Sequence, residues 1–266
     1  MSAFDPAAPR LKPRLEKGAP TGVLWVTLGS VTLIEIAARH APDAIAIDMQ
    51  HGLFDRLSLE QAVAAAGAPV LVRTRDAMPA SIGEALDAGA EGVIVPLVES
   101  GAAARAVAAA CRYPPDGERS GGGIRPLADF GLHATKANAG IVAGVMIETA
   151  AGVAAADAIA GSDVDFVFIG TGDLALSLGT TPGSADHQAA CDTVLAACRK
   201  AKVPCGIFAM SAEAAAGRIG EGYALTVAGI DLDCFEGAAR AALTHFSANA
   251  RPPARPRQRT TRHKPA

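Results

Sequence analysis

The sequence predicts an α/β chain folded as a (β/α)₈ barrel, and three observations carry that reading. Eight short apolar runs alternate with Ala-rich segments of helical composition. Each run is almost continuously apolar, as a strand buried on both faces of a parallel sheet must be. The length of 266 residues suits one such barrel. An open doubly wound sheet is the alternative, but no run leads into a GxGxxG turn, and no Gly-rich phosphate loop is present.

In chain order, the strands are predicted at residues 22–29 (GVLWVTLG), 44–50 (AIAIDMQ), 69–75 (PVLVRTR), 92–98 (GVIVPLV), 143–149 (AGVMIET), 165–171 (DFVFIGT), 204–210 (PCGIFAM) and 224–230 (ALTVAGI). Helices are predicted near 31–40, 56–67, 79–88, 100–111, 151–160, 185–201, 211–219 and 232–245. Ser58, Ser100, Ser184 and Ser211 each precede good helix formers and are expected as N-caps. Residues 113–139 contain YPPDGERSGGGIRP, whose prolines and glycines forbid a regular element; the segment is expected as a long functional loop over the barrel mouth.

The domain division expected is an N-terminal extension over 1–20, the barrel over 21–246, and a basic Pro/Arg-rich tail over 247–266. Within that tail, residues 251–266 carry six Lys or Arg and no acid, so the net charge of −3 leaves −9 on the rest of the chain. Such a segment cannot bury enough apolar surface to offset its ordering entropy, and is expected to be flexible. An acidic body repels polyanions, which favours a solubilising tail over a nucleic-acid anchor. No membrane partner is expected either, because no run approaches the length of a membrane span and the first residues lack a signal-peptide core. The five cysteines form no CxxC pair, as expected of reduced packing residues in a cytoplasmic protein.

If the fold is a barrel, chemistry belongs at the C-terminal ends of the strands, where the loops converge. There the second run ends in Asp48, Gln50 and His51, the third in Arg73 and Arg75, the fifth in Glu148, and the sixth in Asp173. Glu148 and Asp173 are hard oxygen donors, suited to Mg²⁺ or Mn²⁺ rather than structural zinc. With such an ion, a 2-oxo acid could be held while Arg73 shares the oxyanion of its enolate. Histidine is the side-chain type suited to proton transfer at physiological pH, which makes His51 the candidate for that role. Gly170 and Gly172, in IGTGDLALSLG, let the backbone approach a carboxylate before a helix start.

These blocks resemble, in order, the HpcH/HpaI aldolases, which are metal-dependent pyruvate aldolases. GVLWVTLGS, IDMQHG, VRTR with ALDAGAEGVIVPLVES, RYPPDGERSGGG, MIET and FIGTGDLALSLG carry the resemblance over roughly residues 18–246. It implies that Glu148 and Asp173 ligate the metal (Mg²⁺ or Mn²⁺, with Co²⁺ also a candidate) and that Arg73 contacts the keto or enolate oxygen. It implies further that His51 is the active-site histidine, that Asp87 pairs with it, and that the pyruvate carboxylate rests at Gly172 and Asp173. Gln50 stands where many members have Glu; it is expected to touch substrate as a neutral donor and acceptor. Met146 replaces a Gln, Thr171 and Gly172 replace Pro-Ala, and Ser120 with Gly121 to Gly123 replaces a tighter loop.

The resemblance implies a homo-oligomer, a hexamer or trimer of dimers, with an exchanged C-terminal helix and pockets shared between subunits. The expected activity is reversible retro-aldol cleavage of a 4-hydroxy-2-oxo acid to an aldehyde and pyruvate or a close analogue such as hydroxypyruvate. Two alternatives stand beside it: an acyl-CoA lyase of the citrate lyase β-subunit type, and a non-catalytic 2-oxo acid binding protein.

Overall fold

The computed structural model describes residues 4–250 other than residue 6. Eight parallel strands close into a barrel in sequence order, with β8 hydrogen-bonded back to β1. They are β1 (Thr21–Val26), β2 (Ala44–Asp48), β3 (Val70–Arg73), β4 (Gly92–Val95), β5 (Val142–Ile147), β6 (Phe166–Ile169), β7 (Cys205–Ile207) and β8 (Leu225–Ile230). Each starts within one residue of a predicted run, and the first seven end two or three residues short because the final residues of those runs have left the sheet for the mouth loops, whereas β8 ends with its run at Ile230.

Around the barrel lie α1 (Leu11–Glu16), α2 (Val31–Ala38), α3 (Arg56–Ala65), α4 (Pro79–Asp87), α5 (Gly101–Cys111), α6 (Phe130–Gly140), α7 (Ala150–Ala154), α8 (Ala156–Ala160), α9 (Thr171–Ser177), α10 (Ala185–Ala201) and α11 (Ala212–Gly220), and α12 (Asp231–Asn249) follows β8 in the chain. The chain divides into two compact units, residues 1–232 and 233–266. No helix among the described residues is long and apolar enough to cross a membrane.

Ser100, Ser184 and Ser211 are N-caps, as expected, each hydroxyl accepting a backbone N–H three residues on. Ser58 is not: Asp55 caps α3, and Ser58 closes the capping box from the third helical position by accepting Asp55 N–H at 2.8 Å. The loop expected over 113–139 is regular in its second half, where a 3₁₀ turn (Pro126–Asp129) leads into α6. The glycine run ends at residue 123 and the prolines at residue 126, and Asp129 then caps the helix by accepting Leu132 N–H. The helix expected over 151–160 is broken at Ala155 into α7 and α8. The basic segment 251–266 lies outside the described residues.

The core has two layers. Val23, Trp25, Ala44, Ala46, Leu71, Ile94, Val142, Met146, Phe166, Phe168, Leu225 and Val227 fill the barrel, whereas Ile45, Ile47, Val70, Val72, Val93, Val95, Val145 and Val167 pack under the helices. Interior size alternates, as barrel layers require. A Cβ added at Gly144 would stand 2.1 Å from the Phe166 ring, so glycine there is the space the phenylalanine occupies.

The bottom of the barrel is closed by α1, whose Leu11 and Leu15 join the interior set. It is tied down by buried Glu91, which accepts from Arg10 N, Arg10 Nε and Leu11 N at 2.8–3.0 Å. The mouth at the opposite end is left for chemistry.

Candidate active site

Strand parity decides which strand-end residues face inward. In β2 Ala44 and Ala46 face the barrel interior and Ile45 and Ile47 the helices, so Asp48 falls on the interior side. The same count carries Leu71 to Arg73 and Met146 to Glu148. Asp48 and Arg73 are also paired across the β2–β3 register.

Asp48 is the hub of this wall. Only 1% exposed, it accepts Arg73 Nε at 2.9 Å and a second, short bond from Arg73 Nη2. It further accepts Gln50 N at 3.0 Å, His51 N at 3.1 Å and Trp25 Nε1 at 3.3 Å. Desolvation pushes its carboxyl up, but the hydrogen bonds and charge of Arg73, with the His51 N–H and the Trp25 indole, hold it below the ordinary carboxylate value. The Arg73 guanidinium lies 5.2 Å from the centre of the Trp25 ring. His51 follows on a turn so tight that a Cβ at Gly52 would stand 2.2 Å from the Asp48 carbonyl oxygen.

Across the mouth, Glu148 is buried and accepts Leu97 N–H at 2.8 Å. Leu97 takes a left-handed φ of 56°, uncommon outside glycine, to aim that donor. Burial pushes the Glu148 carboxyl up to about 7 against the Leu97 bond and the Arg73 charge, with Asp173 beside it adding repulsion and a shared hydrogen bond. At Gly170 a Cβ would stand 2.6 Å from Glu148 Oε2, so only glycine leaves that oxygen its place. Two adjoining carboxylates whose negative charges oppose each other fit a divalent cation. No group of three or more His, Cys, Asp or Glu suited to a metal occurs among the described residues; the Glu148 and Asp173 pair could hold such an ion with water or substrate in the remaining positions.

A cavity of about 590 Å³ joins these parts: Asp48, His51, Arg73, Glu148, Gly172 and Asp173 all line it. Of the residues singled out in the sequence, Gln50, Arg75 and Asp87 do not. Gln50 turns its Oε1 into a buried position without a hydrogen-bond partner. Asp87, at the end of α4, lines a different cavity of about 490 Å³ and accepts Arg119 Nη2 at 2.8 Å. Sequence alone gives no role to Trp25, Thr27, Phe208 or Ile230, which also line the cavity. They sit at the ends of the first, seventh and eighth runs, the same signal that exposed the charged residues, but their types suggest packing. Leu97 likewise stands at the end of the fourth run, where its apolar side chain gives no hint that its backbone N–H serves Glu148.

The HpcH/HpaI aldolase/citrate lyase family model matches residues 22–238. A hydroxypyruvate/pyruvate aldolase of Rhizorhabdus wittichii is 36% identical over 233 residues, covering 84% of this chain and 93% of that protein. A 4-hydroxy-2-oxovalerate aldolase of Rhodococcus jostii is 34% identical, covering 72% and 76%. Among solved structures, an HpcH/HpaI aldolase/citrate lyase family protein of Burkholderia cenocepacia superposes with a TM-score of 0.85 at 34% identity, over 90% of this chain and all of that one.

Proposed function

This chain belongs to the HpcH/HpaI aldolase/citrate lyase family, and from that premise we propose that it is a carbon–carbon lyase, a divalent-metal-dependent aldolase of 2-oxo acids. The observation that carries the proposal is one cavity lined by two adjoining carboxylates, Glu148 and Asp173, together with Arg73 and His51. The substrate is a 4-hydroxy-2-oxo acid, cleaved between C3 and C4 to an aldehyde and the enolate of pyruvate or of hydroxypyruvate.

Glu148 and Asp173 would hold Mg²⁺, Mn²⁺ or Co²⁺, which supplies Lewis-acid stabilisation of the enolate oxygen. Arg73, fixed by Asp48 through two of its nitrogens, contributes its remaining donors to that oxygen in an orientation set before substrate arrives. His51 accepts the C4 hydroxyl proton as the C3–C4 electrons move to the C2 carbonyl, and a proton returned to C3 gives the 2-oxo acid. The α9 backbone at Gly172 and Asp173 receives the substrate carboxylate. Among the described residues no lysine lines the cavity, which favours enolate over Schiff-base chemistry.

The positions of Asp87 and His51 on different cavities support a shared site, with the Asp87 of a second subunit orienting His51 in a homo-oligomer. Exposed Phe235, Leu243 and Phe246 on α12 support a helix that packs against another copy. The deciding experiment is exchange of the pyruvate methyl protons in deuterium oxide, which tests enolate formation without knowledge of the aldehyde. Exchange that requires Mg²⁺ or Mn²⁺ and stops with a chelator is expected. Absence of exchange, or full exchange in chelator, overturns the proposal.

A further inference from the structure

Asp231, the first residue of α12, is 8% exposed and has a neighbourhood made of donors. It accepts Thr27 N at 3.0 and 3.1 Å on its two oxygens, Thr27 Oγ1 at 3.0 Å, Leu28 N at 2.9 Å and its neighbour Leu232 N at 2.9 Å. A carboxylate accepts and does not donate, so the single hydroxyl proton of Thr27 is committed to Asp231. What Thr27 Oγ1 has left is acceptor capacity.

Thr27 lines the same cavity as His51, Arg73, Glu148 and Asp173. Around it the wall is largely apolar, with Trp25, Phe208 and Ile230. An acceptor in such a wall favours a ligand group that brings its own proton, and the Asp231 charge behind it disfavours a carboxylate or phosphate. Its main chain is fixed as well: Thr27 N is held by Asp231, and Thr27 O accepts Leu53 N–H at 2.8 Å, two residues beyond His51.

We propose that Thr27, with its hydroxyl proton held by Asp231, is a specificity-determining residue that selects substrates bearing a hydroxyl group beyond those that react. Resting on the aldolase reading above, this narrows the substrate class to compounds that present an additional, uncharged hydroxyl group at Thr27: a hydroxyaldehyde acceptor, or a hydroxylated 2-oxo acid donor such as hydroxypyruvate. The chemistry recognised is the same in both cases, and experiment separates them.

The test measures kcat/KM for aldol addition by the metal-loaded protein in two arms. One compares glycolaldehyde with acetaldehyde as acceptors for pyruvate; the other compares hydroxypyruvate with pyruvate as donors to acetaldehyde. Thr27→Val keeps the β-branched shape and removes the acceptor, and is expected to lower one of the two hydroxyl preferences about five- to tenfold, as loss of one neutral hydrogen bond implies. The arm that falls identifies the source of the hydroxyl. Thr27→Ser is expected to restore that preference to within about twofold of the natural protein. Equal losses for both members of each pair, or unchanged ratios, overturn the assignment of Thr27 while leaving the aldolase reading intact. A natural protein that exchanges the pyruvate methyl protons but forms no product in any pairing overturns the Thr27 assignment alone, and one that does neither overturns the aldolase reading with it.

Discussion

Replacing Asp48 by Asn keeps the size of the side chain and removes its charge, which makes it the sharpest probe of the mouth. In the natural protein the two Asp48 oxygens receive five hydrogen bonds from Arg73, Gln50, His51 and Trp25. Asparagine has one oxygen and one NH₂, so whichever way the amide sits, donors face a donor. If the NH₂ takes the Oδ2 place, it meets Arg73 Nη2 and the Trp25 indole; in the Oδ1 place, it meets Arg73 Nε and the two turn amides. Either arrangement also leaves Arg73, whose side chain is only 12% exposed, as a cation without its counter-ion.

Breaking a buried pair from one side costs about 3–5 kcal/mol, and the residual exposure of Arg73 puts the expected loss near the lower end, about 3 kcal/mol. For a protein of this size that lowers the thermal midpoint by about 6–12 °C. The same substitution releases the Arg73 fork and loosens the turn that carries His51, so kcat is expected to fall about 10²–10³-fold, the scale of losing one oxyanion donor. Thermal unfolding and steady-state cleavage read the two losses. Adding Arg73→Met to Asp48→Asn should recover part of the stability but none of the activity, because the penalty comes from the stranded charge. A single variant within about 2 °C of the natural midpoint and about threefold of its kcat would refute the hub, since such shifts correspond to less than about 1 kcal/mol.

Two further expectations follow from the other wall and from the core. Because burial and Asp173 hold the Glu148 proton up to about 7, protons compete with a divalent ion below that pH, and Mn²⁺ affinity measured by calorimetry should fall about tenfold per pH unit as pH drops below about 7. The metal-free fold binds more protons here than the unfolded chain between the ordinary value of 4.5 and about 7, so this group's stabilising contribution is lost as pH rises through that window; affinity flat from about pH 5.5 to 8 would oppose this account. Gly144→Ala should destabilise by about 3 kcal/mol, because its methyl would stand 2.1 Å from the Phe166 ring, and Phe166→Leu in the same chain should relieve much of it; an alanine variant with an unchanged midpoint would show that the layer yields.

The barrel was legible in sequence because a parallel sheet buried on both faces leaves little besides apolar residues and an occasional threonine within a strand, so each run announces its own start. What composition cannot announce is where the sheet releases the chain: the 204–210 run is apolar almost throughout, yet β7 ends at Ile207 and Phe208 belongs to the mouth. The missed α6 has a similar origin. Its sequence, FGLHATKANAG, has only a weak apolar face and follows a segment of prolines and glycines, so its regularity rests on the Asp129 cap and on burial of His133 and Ala137. Local propensity gave no comparable signal for either boundary.

For the site, strand ends located the charges, but position along a strand does not say which side chain holds which. Asp48 and Arg73 close two neighbouring strands at the same register level, and two residues that would each be costly alone in that interior are tolerated as a pair. The resemblance attached Asp87 to His51, whereas within one chain Arg119 already holds the Asp87 carboxylate. Thr27 shows the limit from the other side. Its neighbour in chemistry, Asp231, lies 204 positions away in the chain, so only the closure of β8 against β1 makes the hydroxyl an acceptor. A threonine in an apolar run reads as packing until the barrel closes and decides where its proton goes.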